Sequence, residues 1–183
     1  VLLAAHLQVM SGVSGQAEVV TGLVASGRSE ELGGDEVRGL FLNTLPLRCR
    51  LAPGSWVDLV RIAFAAEEAL LPYRRYPFAI LQRERGRRPL FEVAFNYVHF
   101  HVARDLMRMG QLEVLGFKRG PGANFKLMVH FAQDLEGRHA TCELEYDSQQ
   151  LPDAQAVALA GLDGRPPAAL GGAPRPPVLD VSP

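Results

Sequence analysis

The chain has 183 residues, with 19 lysines and arginines against 20 aspartates and glutamates, a formal net charge of −1. That length suits one domain with one good core, hiding roughly two-thirds of the unfolded surface. The near-balance of charge argues against nucleic acid and anionic membrane partners, the cluster Arg83, Arg85, Arg87 and Arg88 reading as a solvated face, and no apolar run reaches the ~18 residues of a membrane span.

Val1 opens inside an apolar helical pattern with no leader before it, so the chain is expected to be a fragment of a longer one. Leu2, Leu3, Ala5, His6, Val9 and Met10 recur at i, i+3, i+4, which predicts a short amphipathic helix ending near Gly12 and Gly15. His6 sits on or beside the apolar face and reads as a satisfied core histidine. The β-branched run 19–25 predicts a buried strand, and the glycines and charges of 26–36 a surface loop.

In the next strand, over 39–50, Phe41, Asn43, Leu45 and Leu47 share one parity, which sets one polar amide among apolar neighbours. Such an amide needs partners. Pro46 removes a backbone donor and fits an edge or a bulge. Ser55 is placed to cap a helix through Leu71, with Asp58 completing a capping box and Trp56, Leu59, Val60, Ala63, Phe64 and Leu70 facing the core.

Pro72 ends that helix, residues 73–77 form an extended connection, and Pro77 opens a second short helix, Phe78 to Arg85, with Ile80 and Leu81 inward. The stretch 91–100 alternates with aromatics on both faces, predicting a central strand. Further strands are expected at 112–115, 125–132 and 139–146, the last two as an antiparallel pair. A final helix opens at Pro152 and Asp153, and the Pro/Gly-rich tail 161–183 is expected to be disordered. The order predicts a mixed α/β fold without internal repeats.

Cys49 and Cys142 are the only cysteines and have no CxxC spacing; they read as reduced, buried thiols of a cytoplasmic protein. His99-x-His101 would point two rings to one strand face, but no third ligand stands nearby, so no metal site is expected. There is no Gly-x-Ser-x-Gly elbow, and Gly120-Pro-Gly122 lacks the lysine of a phosphate loop. Residue chemistry taken alone therefore stops at a mixed α/β domain.

Three segments together resemble the C-terminal half of the condensation domains of nonribosomal peptide synthetases. Gly39-Leu-Phe-Leu-Asn-Thr-Leu-Pro-Leu-Arg48 is similar to the family's Gly-x-Phe-Val-Asn-Thr-x-x-x-Arg, carried here by Gly39, Phe41, Asn43, Thr44 and Arg48. Tyr76-Pro77-Phe78 resembles its Tyr-Pro-Phe, and Arg87-Arg-Pro89-Leu90-Phe91 its Arg-Asn-Pro-Leu-Phe. The departures are Tyr73-Arg74-Arg75 where the family often has His/Asn-Gln-Asp, Ala79 where it has a glutamate after Tyr-Pro-Phe, and Arg88 where it has an asparagine.

The resemblance implies one lobe, residues 1–160, of the two-lobed chloramphenicol-acetyltransferase-like fold, with a mixed sheet and a reaction tunnel between lobes. It implies amide formation between thioesters borne on the phosphopantetheine arms of peptidyl carrier proteins, with no cofactor of the chain's own. The family's catalytic His-His-x-x-x-Asp-Gly belongs to the N-terminal lobe; no two of the five histidines here are adjacent. The expectation is thus a partial condensation domain, inactive alone and partnered by an N-terminal lobe and carrier proteins, with no catalytic residue of its own. Asn43, Thr44 and Arg87 are expected to line the tunnel or stabilise the lobe, and a segment within 117–134 to reach across to the other lobe. The alternatives are a non-catalytic carrier-docking lobe and a piece of an epimerising or ester-forming relative. An isolated lobe should also expose apolar surface and self-associate.

Overall fold

The structure, a computed structural model, describes residues 1–34, 36–86, 88–99, 125–133, 140–163 and 178–182. The expected strand at 112–115, the 120–122 turn, the part of the crossing segment before 125, Arg87 and His101 lie outside those residues, as does the side chain of His99. Two units divide the chain, Val1–Asn96 and Tyr97–Pro183.

In the first unit, helix α1 (Leu2–Ser14) buries Leu3, Ala4, His6, Leu7 and Met10 on one side and stops at Gly15, whose φ of 66° only glycine adopts cheaply. Strand β1 (Glu18–Ser26) runs antiparallel to β2 (Leu42–Arg50), with Leu23 opposite Leu45 and Thr21 opposite Leu47. On its other side β1 pairs in parallel with β3 (Val93–His99). β2 is therefore at the edge of this unit's β2-β1-β3 ladder, where Pro46 costs little.

The parity read from the sequence holds. Leu45, Leu47 and Cys49 are buried on one face with Asn43 half-buried beyond them, and burying a leucine side chain fully contributes about 1.5–3 kcal/mol.

Helix α2 (Trp56–Leu70) begins with the expected box: the Ser55 hydroxyl accepts from the Asp58 N–H, and the Asp58 carboxylate accepts from the Ser55 N–H at 3.0 Å. The Ser55 hydroxyl also donates to Asp58 Oδ2 at 2.6 Å, and this bond first, then the one from the Ser55 N–H, hold the Asp58 carboxyl below the usual carboxylate range. α2 packs on α1 and β2 through Leu59 and Ala63.

Phe64, expected in the core, is 64 % exposed. A helical turn of 100° per residue carries it about 140° round from Leu59, away from the packed face. A short 3-10 turn, Leu71–Tyr73, leads to α3 (Phe78–Glu84), which ends one residue before the expected stop.

Two residues organise the interior. A β-carbon added to Gly22 would lie 2.6 Å from Cζ and 2.7 Å from Cδ2 of Phe91, so the missing side chain is what admits that ring onto β1. The Thr21 hydroxyl donates to the Val93 carbonyl at 3.0 Å and so has only its lone pairs left for His6 Nε2, also at 3.0 Å. His6 consequently carries its proton on Nε2 and is the core histidine the sequence suggested.

In the second unit, β4 (Leu127–Gln133) and β5 (Ala140–Tyr146) form the expected antiparallel pair, Phe131 opposite Cys142. β6 (Val178–Ser182) pairs in parallel with β5. Helix α4 (Asp153–Asp163) packs on both, tied to β5 by the Tyr146 hydroxyl donating to Asp153 Oδ1 at 2.9 Å.

That bond, and then burial, raises the Tyr146 phenol above its ordinary value. The expectation of disorder throughout 161–183 is corrected at both ends: α4 continues to Asp163, and 178–182 find backbone partners on β5. Cys49 and Cys142 are both buried, and burial pushes the Cys49 thiol up. No helix among the described residues is long and apolar enough to cross a membrane.

Candidate functional site

The motif residues at the start of β2 and those before α3 are more than thirty positions apart, yet one side chain joins them. Asn43 Nδ2 donates to the Arg74 carbonyl at 3.1 Å and to the Tyr76 carbonyl at 2.6 Å. Its Oδ1 accepts from the Phe78 N–H at 3.4 Å, satisfying one of the orphan donors at the start of α3. Pro77, with φ −64° and ψ 125°, holds the extended turn that aims those carbonyls at Asn43.

The connection 27–41 is fastened to the same place. Gly27 N–H donates to the Phe41 carbonyl at 2.7 Å, while the Gly27 carbonyl accepts from Arg75 Nε at 2.9 Å. Arg74 pairs with Glu30 at 2.9 Å. Arg28 lies 4.4 Å over the ring of Phe41 and donates from Nη1 to the carbonyls of Gly34 at 3.0 Å and Val37 at 2.5 Å. Gly39 sits close under the Phe41 ring, where a β-carbon would approach it to 3.2 Å.

Between these straps lies a surface cleft of about 560 Å³ bounded by Leu40, Phe41, Asn43, Arg74, Arg75 and Pro77. Its polar side chains are one amide, two guanidinium groups and the Ser29 hydroxyl, fit to bind or to brace. Among the described lining residues there is no His, Cys, Asp, Glu or Lys to serve as general base or to activate the Ser29 hydroxyl. Among the described residues no three His, Cys, Asp or Glu side chains come together as metal ligands.

The other motif residues take structural places. Thr44 is half-buried opposite Val24. Arg48 reaches Glu18 Oε1 through Nε at 2.9 Å and Nη2 at 2.5 Å, an exposed pair worth little by itself.

The Tyr76 hydroxyl donates to Glu84 Oε1 at 3.3 Å; burial first, and then the Glu84 charge, raise its phenol above the ordinary value. Phe78 packs on Phe91 with ring centroids 5.3 Å apart, Leu90 is half-buried and Pro89 exposed. Arg74, Arg75, Arg28 and Glu30 had no assigned role in the sequence. The one available signal was the opposite charge of loop 26–36 and the Arg74-Arg75 pair.

Residues 1–157 match the model of the condensation-domain family. The chain is 37 % identical over 165 residues to the AMB antimetabolite synthetase AmbE of Pseudomonas aeruginosa, covering 87 % of the chain and 7 % of that protein. It is 30 % identical over 145 residues to tyrocidine synthase 2 of Brevibacillus parabrevis, covering 75 % of the chain and 4 % of that protein.

Among solved structures, the first condensation domain of the CDA synthetase superposes with a TM-score of 0.67 at 18 % identity, over 89 % of this chain and 38 % of that one. A mutant of the starter condensation domain of the rhizomide synthetase RzmA gives 0.64 at 24 %, over 85 % and 37 %. The chain thus spans a small part of its curated relatives and well under half of the solved domains.

Proposed function

Because the chain belongs to the condensation-domain family of nonribosomal peptide synthetases, matched over residues 1–157, we propose that it acts as one lobe of such a domain. The family's reaction joins an acceptor amine to a donor acyl thioester. The amine nitrogen attacks the thioester carbonyl, the new C–N bond forms as the C–S bond breaks, and the phosphopantetheine thiol leaves with a proton. In this reading a partner lobe bearing His-His-x-x-x-Asp-Gly supplies the catalytic histidine, and carrier proteins deliver both thioesters in the cytoplasm. This chain contributes a wall of the tunnel.

The observation that carries the division of labour is the Asn43 clasp. Its three bonds go to backbone groups of Arg74, Tyr76 and Phe78, which supports a bracing role for the motif asparagine. Thr44 and Arg87 are assigned the same bracing role.

The test is complementation. The chain is coexpressed with a His-His-x-x-x-Asp-Gly lobe taken from a relative, loaded donor and acceptor carriers are added, and amide product is followed by mass spectrometry. Product with both lobes and none with either alone supports the reading. Amide formation by this chain alone, or none from a stable two-lobe complex, overturns it.

A further inference from the structure

The outward side of α2 carries an apolar seam. Val57, Phe64 and Leu71 are 54, 64 and 47 % exposed, and their spacing of seven residues, about two turns, sets them in one line along the helix. Leu71 lies just past the end of α2 but keeps helical angles, φ −53° and ψ −41°, so the line is unbroken. The opposite side of α2 is already occupied by α1 and β2.

Arg61 and Glu68, both exposed, flank this seam on the same side. They too are two turns apart. Arg61 has one long bond of 3.5 Å to Asp58, and its side chain is 75 % exposed.

We infer that this face docks a second copy of the same chain, α2 against α2 in antiparallel orientation about a two-fold axis at Phe64. The pattern is self-complementary. Phe64 meets its own counterpart, Val57 meets Leu71, and Arg61, three residues before Phe64, meets Glu68, four residues after it.

A two-fold axis of this kind keeps residues from the same flank together, so the Arg61 and Glu68 pair forms twice. A parallel arrangement, with its two-fold axis along the helices, would carry Arg61 and Glu68 of the second copy to the opposite flank of the seam and leave both without an opposite charge. The charges therefore choose both orientation and register, while the apolar line supplies the contact. The inference is independent of the condensation chemistry.

The test is sedimentation equilibrium on the whole chain over a range of concentrations. The parent chain should form a closed dimer, and Phe64→Glu should be monomeric with a urea midpoint equal to the parent's at concentrations low enough for the parent to be monomeric too, because the residue lies outside the core. Arg61→Glu and Glu68→Arg should each weaken the dimer roughly tenfold, and an equimolar mixture of these two variants, which sets opposite charges across the seam again, should regain it. A chain monomeric at every concentration overturns the inference. So do association undiminished in Phe64→Glu, open-ended aggregates instead of a dimer, and a complementing lobe that dissolves the dimer while shielding Phe64.

Discussion

Replacing Asn43 with alanine should lower stability by about 1–2 kcal/mol. A protein hydrogen bond contributes ~0.5–1.5 kcal/mol net. The bonds to the Arg74 and Tyr76 carbonyls, at 3.1 and 2.6 Å, each count in full. The 3.4 Å bond from the Phe78 N–H is near the limit and adds little.

Asn43 is half-buried and these carbonyls lie near the surface, so water recovers part of the loss and holds the total in the lower half of the range. At ~2–4 °C per kcal/mol for a chain of this size, the midpoint temperature should fall by about 2–8 °C. Asn43→Leu keeps the volume and removes the bonds, and should cost as much. Urea unfolding gives the energy; amide exchange should show protection lost first at Phe78 and Ile80, the start of α3. An unchanged midpoint in either variant, or exchange that quickens in β4 and β5 but not in α3, would refute the clasp.

Gly22→Ala should cost about 1–3 kcal/mol by forcing a methyl into the Phe91 ring, and Phe91→Leu should relieve part of it, read as a coupling in a double-mutant cycle. Thr21→Val should cost about 1–3 kcal/mol, since it takes the hydroxyl from both the buried His6 Nε2–H and the Val93 carbonyl; urea midpoints measure it. The Asp58 carboxyl is held below its ordinary value of ~3.9, so its stabilisation of α2 is present above that pH and is lost as pH falls through the lower folded value. The urea midpoint should show this acid dependence, and Asp58→Asn should flatten it.

Elements whose signal lies within about twenty residues were legible in the sequence. The Ser55 and Asp58 box, the alternation that buries Leu45 and Leu47, the stop at Gly15 and the β4–β5 pair all follow from spacing. Helix and strand periods, caps and φ > 0 turns are local physics. The three motifs pointed to the family in the same way, as words in order.

Tertiary structure decided the rest. That Asn43 needed partners followed from its place among apolar neighbours, but which carbonyls came within 3.1 Å depended on how the chain from 74 to 78 returns to β2. The Arg74–Glu30 pair, the nesting of Phe91 on Gly22 and the pairing of β6 with β5 likewise join residues far apart in sequence. Phe64 shows the limit most clearly. Helical spacing marks a line of apolar residues on α2, but whether a line faces inward depends on where α1 and β2 pack, and those settled on Leu59 and Ala63. Periodicity sets which side chains share a face, and only packing chooses which face is covered.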